Sequence, residues 1–522
     1  RRNVRSELND LNGRSFDVAI IGGGINGCAA AQHLAAAGYQ VLLVERNDFA
    51  SGATSRSGRI LHCGLRFLAP KKNVWEFLRA PGQLWMKLRT AREMAEAQGE
   101  LYETIRPYLR PMDIALPIYA HQGYSGWHVD IGAALVRLMN RGRSPINYRR
   151  WKGVASPHPF VPHLANAEKI RSVVAFNDQQ FIWPERIALD ACFHAEDLGA
   201  VVRNYTSVIA LEKRGKTGWQ LELEDATGRA RVEAAYVLNL AGIEIDATNR
   251  MVPGLHNLPP RVRAMKGVHI LVKLPDIYRG HGIAGENSLG EHIFCLPWGD
   301  YHYIGPTETI YDGDPDKVTP DDDDIAFLKR EAQALLPNLP IADAKVELAW
   351  AGARPITFDP ERPQGKRLPF SIFHDMGEDG ARNLLAVTWG IIVNHRATAR
   401  RIVKHINGVL RPSGTARAIN YAPRPAPALR PDSDEVELRA AVVHFITAEQ
   451  ARSATDILCR RTMLFWDNLV TTALLTRVVT AMGEVLDWSE SRCTAEMEAF
   501  CRYVEEQHRV TLDEKSNYSA SA

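Results

Sequence analysis

The chain is poor in cysteine. Its 522 residues include 7 cysteines, an odd number, scattered and without a C-x-x-C pair. That argues against a disulfide framework and against a cysteine-type zinc site, and it suits a reducing, cytoplasmic compartment. The chain also lacks an excess of either charge. Its 63 Lys and Arg face 61 Asp and Glu, for a formal net charge of +2. A nucleic-acid partner would require a stronger basic bias, so none is expected. There is no uninterrupted apolar run long enough to cross a bilayer, no internal repeat, and no metal-ligand spacing to read. What remains is ordinary for a globular protein, with 45% hydrophobic and 24% charged residues. The length predicts two or more domains.

The strongest local signal is FDVAIIGGGINGCAAAQHLAAAGYQVLLVER, which starts at Phe16. Residues 16–21 read as a buried strand, residues 28–37 as an Ala-rich helix stopped by Gly38, and residues 39–45 as a second strand ending in Glu45. Between the first strand and the helix, Gly22, Gly24 and Gly27 fit G-x-G-x-x-G, with Asn26 inside the turn. Here Gly22 permits the tight turn, Gly24 lets the backbone approach a pyrophosphate, and Gly27 lets helix and strand pack closely. The helix N-terminus then faces the anion. Glu45 can accept from a ribose, with Arg46 beside it. These elements predict a Rossmann-type α/β nucleotide domain, and a side chain at Gly24 should collide with the pyrophosphate.

The glycine turn alone does not separate FAD from NAD. The next segment does more. Ala53-Thr54-Ser55-Arg56-Ser57-Gly58-Arg59 is rich in small polar residues that can wrap phosphates and ribityl hydroxyls, with Thr54, Ser55 and Ser57 the candidate donors. An apolar run with His62, Gly64 and Arg66 follows.

This run resembles the "SSRSSKLIHGGLRYL" segment of FAD-dependent glycerol-3-phosphate dehydrogenases, members of the glycine/D-amino-acid oxidase-like flavoprotein superfamily. Further stretches are similar in order and spacing: Met265-Lys266-Gly267-Val268-His269 to "IKGSH", Pro297-Trp298-Gly299-Asp300 to "PW-D", Ile304-Gly305-Pro306-Thr307-Glu308 to "IGTTD", and Gly352-Ala353-Arg354-Pro355 to "GVRP". The run from Ala451-Arg452 to Arg460-Arg461-Thr462 resembles that family's helical C-terminal segment.

The resemblance implies a discontinuous FAD domain with an inserted antiparallel-sheet substrate domain and a C-terminal all-α domain. The expected division is 16–80, 170–255 and 345–410 for FAD, and 81–169 and 256–344 for substrate. A Pro-rich linker over 411–432, helices over 433–510 and a disordered tail over 511–522 complete it. It implies non-covalent FAD, with His62, Gly242, Gly390 and Asn394 near the cofactor. It also implies a small anionic polyol-type substrate. The site residues it implies are Arg354 and Arg66 as anion holders, His269 as base and Thr307 as a hydrogen-bonding partner. A quinone acceptor, peripheral contact with the inner membrane face and a homodimer accompany it. Residues 71–89, which mix Trp75, Phe77, Trp85 and Met86 with basic side chains, are the candidate membrane segment.

The sequence also departs from the pattern. The lysine of "FGGKLTTYR" is Ile391 here, the Tyr of "GGLRYL" is Phe67, and its first Gly is Cys63. Asn394 and His395 replace the Thr and Tyr after that lysine, and could supply compensating contacts. The competing readings are an amine or amino-acid oxidase of the same superfamily, and a non-catalytic FAD-binding protein.

A helix is expected over residues 320–336 with Thr319 as N-cap; its acidic run 321–324 complements the helix dipole.

Overall fold

The structure, a computed structural model, describes residues 7–68, 81–366 and 370–512. The chain opens with β1 (Ser15–Ile21), α1 (Ile25–Ala36) and β2 (Val41–Val44), then leaves this unit for α2 (Pro81–Thr104), β3 (Leu109–Tyr119), α3 (Gly126–Met139) and β4 (Ile170–Phe181). It returns through α4 (Pro184–Asp197), β5 (Val201–Arg203) and a meander that ends in β6 (Gly228–Asn239). A second excursion runs through β7 (Val262–Val272), β8 (His281–Glu286), β9 (His292–Trp298), β10 (Tyr301–Gly305), α5 (Asp322–Leu335), β11 (Val346–Asp359) and β12 (Arg362–Lys366). β13 (Leu384–Thr388) and α6 (His395–Asn407) come back a last time, and α7 (Glu435–Thr447), α8 (Thr472–Leu486) and α9 (Glu490–His508) follow.

The first sheet is parallel through its centre, in the order β13–β6–β1–β2–β5. β1 is apolar on both faces because both are covered. Val18 and Ile20 pack with Leu34 of α1, while Ala19 and Ile21 pack with Trp219 and Leu221 of the meander. The chain crosses from β1 to β2 on one side and to β6 on the other. That is a topological switch point, the place where doubly wound sheets bind ligands at their carboxyl ends.

The second sheet has the order β12–β11–β7–β10–β9–β8–β3–β4 and is antiparallel apart from the β3–β8 pair. Residues 170–181 (β4) and 346–359 (β11) were expected in the FAD domain, yet both pair within this second sheet.

The C-terminal helices pack on the second sheet, where Leu438, Phe445 and Leu475 share a core with Leu271, Trp298 and Trp350. Ion pairs fasten them to the nucleotide unit. Asp48 receives Arg460 at 2.6 Å and Arg461 at 2.7 Å, and Arg186 of α4 meets Glu449 at 2.7 Å. All five side chains are buried, so removing one partner would strand a buried charge. The Pro-rich linker crosses α1, with the Arg417 N–H donating to the Ala36 carbonyl at 2.7 Å and the Tyr421 hydroxyl 2.8 Å from His33 Nε2.

α5 begins later than expected. Its N-cap is Asp321, which accepts from the Asp324 N–H at 2.8 Å, and not Thr319. Lys266 of β7 meets Asp321 at 2.8 Å and Asp324 at 2.6 Å, so half of the acidic run neutralises one lysine. The tail 513–522 lies outside the described residues.

Candidate active site

One cavity of about 1280 Å³ runs from the glycine turn to the second sheet. Its nucleotide half is shaped by backbone. Gly22 has φ +110°, and a Cβ there would overlap the Leu240 carbonyl; a Cβ on Gly27 would overlap the Gly22 carbonyl oxygen. Gly22, Gly24, Asn26, Gly27, Glu45, Arg46, Thr54, Ser57, His62, Gly242 and Gly390 all line the cavity.

Their side-chain roles are more particular than the sequence suggested. Glu45 accepts from the Gly23 N–H at 2.7 Å and from the Asn47 N–H at 2.8 Å, so its carboxylate braces the glycine turn. Burial pushes this carboxyl up, against those two N–H bonds. Thr54 Oγ1 accepts from the Ile25 N–H at 3.0 Å, capping the first turn of α1. Arg46 reaches Glu244 at 2.8 Å and Asp316 at 2.6 Å, clasping the loop before α5 across one end of the cavity. Ser57 Oγ accepts from the Arg59 N–H at 3.2 Å.

Two of the expected cofactor residues lie off the cavity. Ser55 is buried with its hydroxyl 3.3 Å from the Gly52 carbonyl, and it does not line the cavity. Asn394 does not line it either. It borders a separate cavity of about 300 Å³ between α2 and α6, with Glu100 and Arg396. His395 also turns away, with Nδ1 2.6 Å from the Ile392 carbonyl. Neither residue lines the main cavity, whereas Ile391 does, together with Ile392, Val393 and Trp389.

The other half of the cavity carries the candidate chemistry. His269 of β7 is buried, stacked on Trp350 with centroids 5.0 Å apart and planes 14° apart. Its Nδ1 is buried with no hydrogen-bond partner. Burial, reinforced by the Arg354 and Arg59 charges, pulls its pKa down to about 3, so the ring is neutral. Arg354 of β11 lines the same cavity and is held by Glu308 at 2.7 Å and by the Thr307 carbonyl at 3.3 Å. Thr307 was expected to hydrogen-bond the substrate or His269. Its Oγ1 instead accepts from the Val268 N–H at 3.0 Å, and the residue is buried away from the cavity. His62 Nδ1 lies 3.2 Å from Asp178. The side chain of Arg66 lies outside the described residues.

The sequence reading passed over Arg59, Arg362 and Lys366. Arg59 has φ +54° and is fully buried, paired with Glu185 at 2.5 Å and 3.8 Å from the Trp466 ring. It joins the nucleotide unit to the C-terminal helices directly under the cavity. Arg362 and Lys366 of β12 line the cavity, supplying positive charge that no motif marked.

A doubly wound sheet, a glycine cradle at its switch point and an adjoining antiparallel sheet define a flavoprotein oxidoreductase. The fit to FAD is visible in the chain itself. Asn26 donates to the Gly390 carbonyl at 2.6 Å and leaves its Oδ1 buried without a partner, as a cofactor hydroxyl would need. The chain belongs to the FAD dependent oxidoreductase family, whose model matches residues 17–391, and residues 416–493 match the C-terminal domain of alpha-glycerophosphate oxidase. FAD is its cofactor. The chain is 23% identical to a glycerol-3-phosphate dehydrogenase of Synechocystis, covering 95% of this chain and 98% of that protein. It is 26% identical to the mitochondrial glycerol-3-phosphate dehydrogenase of Rattus norvegicus, covering 94% and 74%. The structure of a glycerol-3-phosphate dehydrogenase from Bacillus halodurans, complexed with FAD, superposes with a TM-score of 0.68 at 19% identity, covering 96% of each chain.

Proposed function

We propose that this chain is a dehydrogenase that oxidises the secondary alcohol of a small polyol phosphate. The observation that carries the reading is one cavity in which a neutral, buried histidine with a free ring nitrogen stands with an arginine beyond the nucleotide cradle. Bound FAD supplies the hydride acceptor at its N5. His269, neutral before substrate binds, takes the hydroxyl proton at a ring nitrogen. Arg354 holds the substrate's anionic or oxygen-bearing end, where a guanidinium fork grips two oxygens at once. Arg66 serves the same anion. Arg362 and Lys366 add charge on the cavity wall, while Ile391 gives none.

This reading is tested by anaerobic reduction of the flavin with glycerol 3-phosphate, tetritol and pentitol phosphates, and sugar acids. Arg354→Ala is expected to slow reduction by about 10- to 100-fold, the worth of a charged hydrogen bond, with FAD retained. Ile391→Lys should raise kcat/KM for glycerol 3-phosphate. Rates within twofold of wild type for Arg354→Ala would refute its role.

We further propose that the protein works at an anionic membrane face and passes electrons to a quinone. Among the described residues no helix is long and apolar enough to cross a membrane. Yet Trp127, Ile131 and Leu138 of α3 are 55%, 52% and 75% exposed, and Trp85 of α2 is 60% exposed. Arg137 and Arg141 are exposed beside them, an apolar face with a basic border that suits acidic lipid. The rest of the expected membrane segment, residues 71–80, lies outside the described residues. Met86, Lys87 and Thr90 of α2 line the cavity, so one helix serves both surfaces. Trp127→Ser with Leu138→Ser should release the protein from phosphatidylglycerol vesicles in sedimentation; unchanged binding would contradict this.

A further inference from the structure

Away from the flavin cavity, three side chains from separate parts of the chain meet on the second sheet. Asp113 of β3 and His281 of β8 are directly paired across the parallel ladder, and His158 comes from the connection that precedes β4. One ligand atom from each lies within 4.8 Å of the other two. None of the three lines the flavin cavity. We propose that Asp113, His158 and His281 bind one divalent metal ion of the zinc class.

The hydrogen bonds around these groups leave metal-ready atoms. His158 is 5% exposed, and its Nδ1 is buried with no hydrogen-bond partner. Its Nε2 lies 3.3 Å from the Asp113 carbonyl oxygen. A proton on Nε2 donates to that carbonyl and leaves the lone pair on Nδ1. Metal-bound histidines are oriented in this way, through the second ring nitrogen. Nδ1 of His281 is likewise buried without a hydrogen-bond partner, and it lies 3.3 Å from Asp113 Oδ2. Two ligands on a tetrahedral zinc with bonds of about 2.1 Å are about 3.4 Å apart. Arg149 occupies the other carboxylate oxygen, Oδ1, which orients the group and leaves Oδ2 for the ion.

The donor set selects the metal. Two imidazoles and one carboxylate suit zinc, cobalt or nickel, whereas calcium and magnesium require mostly oxygen ligands. Water completes the tetrahedron. The ion ties β3, β8 and the connection carrying His158 into one unit, so its binding stabilises the folded chain. The site escapes motif reading because the ligands are far apart in sequence and become neighbours only through the β3–β8 pairing.

The test uses the full-length, FAD-loaded protein after treatment with EDTA and dialysis. Titration with Co2+ should give the visible d–d bands of a tetrahedral N/O site, saturating at one equivalent, and Zn2+ should displace them. His281→Ala and His158→Asn should each weaken Co2+ binding by about tenfold or more, while the flavin spectrum, which reports folding, stays as in wild type. A wild type without tetrahedral Co2+ bands overturns the proposal, as do variants that bind Co2+ as wild type does. Should both variants fail to fold, the wild type decides alone: one equivalent of Zn2+ is expected to raise its melting temperature, and no rise overturns the site.

Discussion

His269→Ala is expected to lower the rate of flavin reduction by about 10²- to 10⁴-fold, the range for loss of a positioned general base, while FAD stays bound. The residue touches neither the glycine turn nor its braces, and its ring rests on Trp350, which remains. His269→Gln fills more of the space and should be equally slow, which separates lost chemistry from a lost packing contact. The pH profile carries a second expectation. With its pKa near 3 in the folded chain, His269 is already neutral across the working range, so kcat/KM should show no acid limb from this residue between pH 5 and 7. The sign for stability follows. A folded value below the free histidine value near 6.5 means the neutral ring stabilises the fold fully above pH 6.5, and that contribution is lost as the pH falls toward 3. A reduction rate for His269→Ala within threefold of wild type would remove it from the mechanism.

The second large effect is Gly27→Ala. A single methyl group there would overlap the Gly22 carbonyl oxygen, and both atoms belong to the turn that receives the pyrophosphate. Neither can yield without separating α1 from β1. Gly24→Ala is milder in the unliganded chain, since its nearest neighbour would be Thr54 Oγ1 at 3.3 Å. The ratio of flavin to protein absorbance should therefore fall more than about tenfold for Gly27→Ala, consistent with a packing conflict of several kcal/mol. A yellow Gly27→Ala protein with wild-type flavin content would show that the turn opens more easily than its geometry indicates.

The contrast between these glycines marks how far the sequence could be read. A glycine fingerprint is local. Each of its residues has its reason within a strand, a turn and a helix, and the nucleotide unit follows from it; FAD needed the polar run after it and the family resemblance as well. Side-chain direction is not local. Thr307 and Asn394 sit within a residue or two of cavity-lining neighbours yet lie off the cavity: Thr307, in the loop after β10, accepts from the Val268 N–H, and Asn394, at the start of α6, borders the smaller cavity with Glu100 and Arg396. Ser55, between Thr54 and Arg56 in a turn, donates its hydroxyl to the Gly52 carbonyl instead. Sheet membership was hidden as well: the pairing of β4 and β11 joins segments far apart in sequence, and no local pattern marks it. Arg59 stood in plain view inside the polar run, but its burial between Glu185 and Trp466 depends on a C-terminal domain hundreds of residues away.

The roles proposed for His269 and Arg354 both depend on oxidation of an alcohol on a small polyol phosphate. Anaerobic stopped-flow reduction of the FAD-loaded wild type tests it most directly, with polyol phosphates in one series and amino acids and amines in another. Bleaching of the flavin by at least one polyol phosphate is expected, at a rate that falls with Arg354→Ala, and none by the amines. Rapid bleaching by an amino acid or amine, with none by any polyol phosphate, would contradict it.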